Sequence, residues 1–126
     1  MTRYDVVIIP ETVHDFQNHD MEHVFSPLVI GDRSEDIAIE LAEGFERALM
    51  GRFQVEKEEL QPERCDLKHV RYRVKDKNKE LIVHLHIRRV EENCPRIEGI
   101  RCNVIEYERD IACLLDVIEE CFSYYE

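Results

Sequence analysis

Tryptophan is absent from this 126-residue chain, and glycine and proline occur only four times each. So few chain-breaking residues exclude a collagen-like, proline-rich or low-complexity polypeptide. Long apolar runs are missing as well. The longest, VVII at 6–9 and IACLL at 111–115, fall far short of the roughly 20 residues that cross a bilayer. Thr2, Arg3, Tyr4 and Asp5 follow Met1, with no secretory h-region behind a basic start. The expectation is a soluble, cytoplasmic protein with no membrane partner.

Other absences narrow the chemistry. The five cysteines (65, 94, 102, 113, 121) contain no C-x-x-C, which excludes a zinc knuckle and a thioredoxin-like pair. Their odd number means that intrachain disulfides cannot use them all. Cys102 in a strand-like run, and Cys113 and Cys121 in a helix-like run, read as buried free thiols. There is no Gly-rich phosphate loop, no G-x-S-x-G and no H-E-x-x-H. Positive charge is also scarce, 17 Lys and Arg against 28 Asp and Glu. The net charge of −11 argues against nucleic acid or anionic lipid covering the whole surface. The balance is uneven, however. From Arg64 to Arg89, nine Lys or Arg meet three Asp or Glu, a local +6, so the remaining residues carry −17.

What is present fits one globular domain over 1–126, with 44% apolar residues to build a core. YDVVII, 4–9, reads as a central strand ended by Pro10. Residues 11–23 read as a polar connection bearing His14, His19 and His23. VFSPLVI, 24–30, reads as a strand whose Pro27 puts it at an edge or a bulge. Ser34 can cap a helix in which Ile37, Leu41, Phe45, Ala48 and Leu49 form one stripe and Gly51 stands at the C-terminal end. Residues 53–60 fit either a helical continuation or a short strand. IRCNVIEY, 100–107, reads as another strand. A last helix starts near Glu108, with Ile111, Leu114, Leu115, Ile118 and Phe122 on its core stripe.

The clearest pattern is a hairpin. In HVRYRVK, 69–75, Val70, Tyr72 and Val74 alternate with His69, Arg71, Arg73 and Lys75. In ELIVHLHIRR, 80–89, Leu81, Val83, Leu85 and Ile87 alternate with Ile82, His84, His86 and Arg88. Pairing Lys75 with Glu80 across DKNK puts all the apolar residues on one face, and a slip of one residue destroys this. These elements predict an α+β fold. It should be a two-layer sandwich, a mostly antiparallel sheet of about five strands with two helices packed on one face.

The same register sets His69 opposite His86, with His84 two residues away on the same face. Three convergent imidazoles form a tripod suited to zinc, His69, His84 and His86, with a fourth position left open. Arg71, Arg73 and Arg88 on that face oppose a dication and suit an anion instead, as in a phosphate- or nucleic-acid-directed binder or hydrolase. Aromatic groups for stacking bases are missing there, because Tyr72 points to the apolar side. The reading the pattern favours is a small acidic binding or regulatory module without a required cofactor. It would dock a protein partner through the basic residues His69, Arg71, Arg73, His84, His86 and Arg88. The C-terminal aromatics Phe122, Tyr124 and Tyr125 cannot all enter one core, so they are expected to meet a partner, most simply a second copy.

Overall fold

The computed structural model describes residues 2–13 and 24–123. The elements follow in the order β1 (Arg3–Thr12), β2 (Leu28–Arg33), α1 (Glu35–Arg52), β3 (Gln54–Leu60), β4 (Asp66–Asp76), β5 (Lys79–Val90), β6 (Ile100–Arg101) and α2 (Tyr107–Phe122). The strands form one sheet in the order β3-β4-β5-β1-β2-β6, antiparallel except where β6 runs parallel to β2. The expected α+β architecture is therefore present, with six strands among the described residues where about five were expected. No helix among the described residues is long and apolar enough to cross a membrane.

The hairpin has the register its alternation demands. Lys75 pairs with Glu80, Val74 with Leu81, Tyr72 with Val83 and Val70 with Leu85. All six apolar members of those last three pairs are at most 1% exposed. They meet Val6 and Ile8 of β1, Leu28 and Ile30 of β2, and the buried stripes of α1 and α2 in one core. In α2 that stripe is Ile111, Leu114, Leu115, Ile118, Cys121 and Phe122. In α1 it is rotated from the expected one. Ala38 is fully buried and Ile37 is 46% exposed, because the small side chain lets the helix lie close to the sheet.

Four other readings are altered or resolved. β1 runs through Pro10 instead of ending there. The Pro10 carbonyl accepts a hydrogen bond from the Phe25 N–H, on the side of β1 where β2 has already stopped, at Leu28. The donor that proline lacks would point to that same side, so the ladder to β5 stays whole through Thr12↔Leu81. Residues 53–60 resolve as β3, an edge strand whose exposed residues are almost all charged. Residues 100–107 supply only two strand residues, since Gly99 lies against the Pro27 carbonyl and the chain turns away into α2. Helix α1 also passes Gly51 and is closed by the Phe53 N–H bonding to the Leu49 carbonyl.

The largest departure is a disulfide between Cys65 and Cys94, whose Cα atoms lie 5.7 Å apart. It uses two of the five thiols. Cys121 is buried as expected, but Cys102 is only half-buried and Cys113 is exposed. Closing a loop with a sequence separation of 29 contributes roughly 3–4 kcal/mol in the chain-entropy account. The bond fixes the segment 91–99 across one end of the sheet's outer face. There the Pro95 carbonyl accepts from Arg88, and Arg96 pairs with the buried Asp5. This face is consequently not open to solvent along its whole length. Val7 and Val29 project to it and are 0% exposed.

The two faces make different demands on substitution. Val83→Asp, placing an unpaired charge in the core, should cost about 4 kcal/mol or more and unfold a marginally stable domain. Arg73→Ala removes one ion pair with Glu80 (2.8 Å) at a part-exposed site, and should cost about 0.5 kcal/mol. Urea titration of both variants checks this, and comparable losses would mean that the faces are misassigned.

Candidate metal centre

The outer face of β4 and β5 gathers three histidines. His69 pairs directly with His86 across the ladder, and His84 is paired with Arg71 one step further along. The rings of His69 and His86 stack at 3.9 Å between centroids, and His69 and His84 lie 5.1 Å apart. His69 Nε2 is 2.8 Å from His84 Nδ1, a hydrogen bond in which one ring donates and the other accepts. One nitrogen from each of the three rings falls within 4.8 Å of the other two. Tetrahedral zinc with N ligands at about 2.0–2.1 Å needs nitrogens about 3.3 Å apart. The His69–His84 pair at 2.8 Å has to open slightly and the wider pairs have to close, adjustments of the size that side-chain rotation supplies.

Two carboxylates stand behind the rings. Asp66 is 5% exposed, and its Oδ2 lies 3.2 Å from His86 Nδ1. A carboxylate oxygen accepts, so Nδ1 carries the proton and the Nε2 lone pair is free. Asp66 Oδ1 has no hydrogen-bond partner and sits 3.5 Å from Arg88 Nη1. On the other flank, Glu11 Oε1 is 3.5 Å from His84 Nε2. That places the His84 proton toward Glu11 and its Nδ1 lone pair toward His69. A carboxylate holding the far nitrogen of a metal-binding imidazole is the usual outer partner of such a ligand. Without metal, His69 Nε2–H then donates to His84 Nδ1; once that proton moves to His69 Nδ1, the donor set fits a divalent ion on His69 Nε2, His84 Nδ1 and His86 Nε2. The buried Asp66 carboxylate, one oxygen of which accepts no hydrogen bond, fits it as well, because a cation beyond His86 adds to the offset that Arg88 gives.

Both carboxylates escape a reading by alternation. A period of two puts Asp66 on the core face, out of phase with His69. A register shift between Asp66 and Lys68 turns it outward, opposite Arg88. Glu11 belongs to the part of β1 beyond Pro10, where the sequence suggests a loop. Its neighbour Ile9 pairs with His84, which sets Glu11 diagonally beside that ring.

The arginines are all present on this face, but each has an acidic partner on the same chain. Arg71 meets Glu58 (3.3 Å), Arg73 meets Glu80 (2.8 Å) and Arg88 meets Asp66, while Lys75 meets Glu56 (3.4 Å). Two of these acids come from β3, the strand the sequence leaves ambiguous. The positive field that weighed against a dication is thus largely offset. Phe122 is not available to a partner, because it is 3% exposed and packs against Phe53 at 5.5 Å. Tyr124 and Tyr125 lie outside the described residues, as do His14, His19 and His23. No protein-family model matches the chain, and it has no significant sequence match among curated proteins.

Burial, and then the neighbouring His69, His86 and Arg71, hold the His84 imidazole down to about 4, below its usual range. Burial and His86 also lower His69. Both rings are neutral at pH 7, the state that ligates metal. In the metal-free protein the unfolded chain takes up a proton near pH 6.5 and the folded His84 does so only near 4. The stabilising difference is whole above pH 6.5 and is lost as pH falls toward 4. Urea midpoints measured from pH 7 to 4.5 should drop more steeply in the native protein than in His84→Gln. Parallel curves would remove the assignment.

Proposed function

We propose that the protein is a metal-binding module that holds one divalent transition-metal ion, zinc foremost, on His69, His84 and His86. The support is the convergence of three imidazole nitrogens within 4.8 Å, backed by the buried Asp66 on His86. An all-imidazole set suits zinc, copper or nickel rather than magnesium or calcium, which prefer oxygen ligands. Three protein ligands leave a fourth position open. The His84 and His86 side chains are 22% and 15% exposed, so the rings are partly buried but still reached by solvent. A zinc ion bound there would bring the pKa of a coordinated water down toward neutrality.

Titration of the chelator-treated protein with zinc should give one ion per chain. Affinity should weaken as pH falls below about 6.5, since protons compete for the ligand nitrogens. His84→Ala and His86→Ala should each abolish tight binding. An oligonucleotide or phosphate that binds more strongly at low pH, with no uptake of zinc, would restore the anion reading in its place.

Docking of a protein partner, most simply a second copy, is the second reading. Ile100 and Ile105 favour it, apolar side chains left 55% and 85% exposed around β6 and the approach to α2. Sedimentation across micromolar concentrations should show a dimer that Ile105→Asp returns to monomer. A monomeric mass throughout would remove this role and leave the metal reading untouched.

A further inference from the structure

We infer that the Cys65–Cys94 disulfide is a redox control on the affinity of the histidine site, a reading that rests on the metal-binding role proposed above. The two features share a short chain of contacts. Cys65 directly precedes Asp66, and its carbonyl accepts the Arg89 N–H at 2.9 Å. Cys94 directly precedes Pro95, whose carbonyl accepts from Arg88 Nη2 at 3.2 Å. The other amino group of Arg88 stands 3.5 Å from Asp66 Oδ1, and Asp66 Oδ2 holds His86 Nδ1. The crosslink therefore ties both ends of the Pro95–Arg88–Asp66 relay behind one metal ligand.

Asp66 is kept from water by this arrangement, its side chain only 1% exposed. While the bond is intact, the carboxylate has a single acceptor geometry toward His86 and fixes the tautomer that leaves Nε2 free. When the bond opens, segment 91–99 is no longer covalently held, the Pro95 carbonyl releases Arg88, and water reaches Asp66. His86 then loses its fixed partner, and the site binds metal less tightly. Loss of such an outer-shell partner costs about 10- to 100-fold in metal affinity.

The chemistry is ordinary thiol–disulfide exchange with a dithiol reductant. Cys94 is 6% exposed and Cys65 is half-buried, so the entering thiolate attacks Cys65 Sγ and the Cys94 thiolate leaves. The second thiol of the reductant then displaces Cys65. Two electrons and two protons end on the cysteine pair, and the reductant departs as its own disulfide. In a reducing compartment, such as the cytoplasm expected from the sequence, crosslinks of this kind are characteristically transient and redox-sensing.

The test compares zinc affinity of the diamide-oxidised protein, the phosphine-reduced protein and Cys65→Ser/Cys94→Ser, using a chromophoric chelator as competitor. Circular dichroism confirms that each form is folded, and alkylation with mass analysis confirms the state of residues 65 and 94. Reduced and double-serine proteins should bind zinc about 10- to 100-fold more weakly than the oxidised form. Because the double-serine form has no thiols at 65 and 94, agreement between the two excludes zinc capture by freed cysteines.

Asp66→Asn provides the second arm. If control passes through Asp66, this variant should bind weakly when oxidised and show no further loss on reduction. An additional loss of similar size on reduction would point to general loosening and overturn the relay. Equal affinity of oxidised and reduced native protein would overturn the redox control while leaving the metal site in place. Failure of the oxidised protein to bind zinc at all would overturn both, so loss of the redox control and loss of the metal site give different results.

Discussion

The pairing of Lys75 with Glu80 at the closed end of the β4–β5 hairpin fixes the side to which every later residue of both strands projects. From that one register, Val70, Tyr72, Val74, Leu81, Val83, Leu85 and Ile87 reach the core, and His69, His84 and His86 reach the opposite face. A shift by one residue would turn out the three core side chains of β4 or the four of β5 and bury charged ones, at a cost comparable to the whole stability of a small domain. The histidine cluster is therefore held by the core on the far side of the sheet. Nothing about the rings themselves needs to be favourable for them to meet.

Such a cluster still has to tolerate its own crowding. Stacked imidazoles repel one another when charged, and burial disfavours the charged form further. The fold answers with His69 and His84 held neutral, one hydrogen bond between them, and carboxylates behind His84 and His86. The arginines around them are handled separately. Arg71 and Lys75 turn toward Glu58 and Glu56 of β3, and Arg88 toward Asp66. A segment that counts as strongly basic along the sequence becomes a face of paired charges once β3 lies beside β4.

Local pattern carried the hairpin, its register, both helices and the juxtaposition of His69 with His86, because each depends on spacing within a short window. What the pattern could not carry depends on partners far away in the chain. Asp66 changes face at a register shift that alternation does not announce. Glu11 joins the site only because the donor that Pro10 lacks lies on the side away from β5. Ile37 yields to Ala38 because α1 must approach a sheet whose surface is not written in the helix. The joining of Cys65 to Cys94 likewise depends on two distant loops meeting over the end of β5. In each case, the missing information was long-range geometry rather than residue chemistry.

The charged residues of β3 also bear on how this sheet can grow. Its outer edge is the run Gln54–Leu60, in which Glu56, Lys57, Glu58 and Glu59 stand in the open, and the opposite edge is the two-residue β6. Neither rim is a template for an incoming strand, one being too highly charged and the other too short. Fibrous stacking and strand exchange are both discouraged by that border. With strand addition discouraged at both rims, the broad faces of the sheet and helices are left as the surfaces on which a second molecule could be laid.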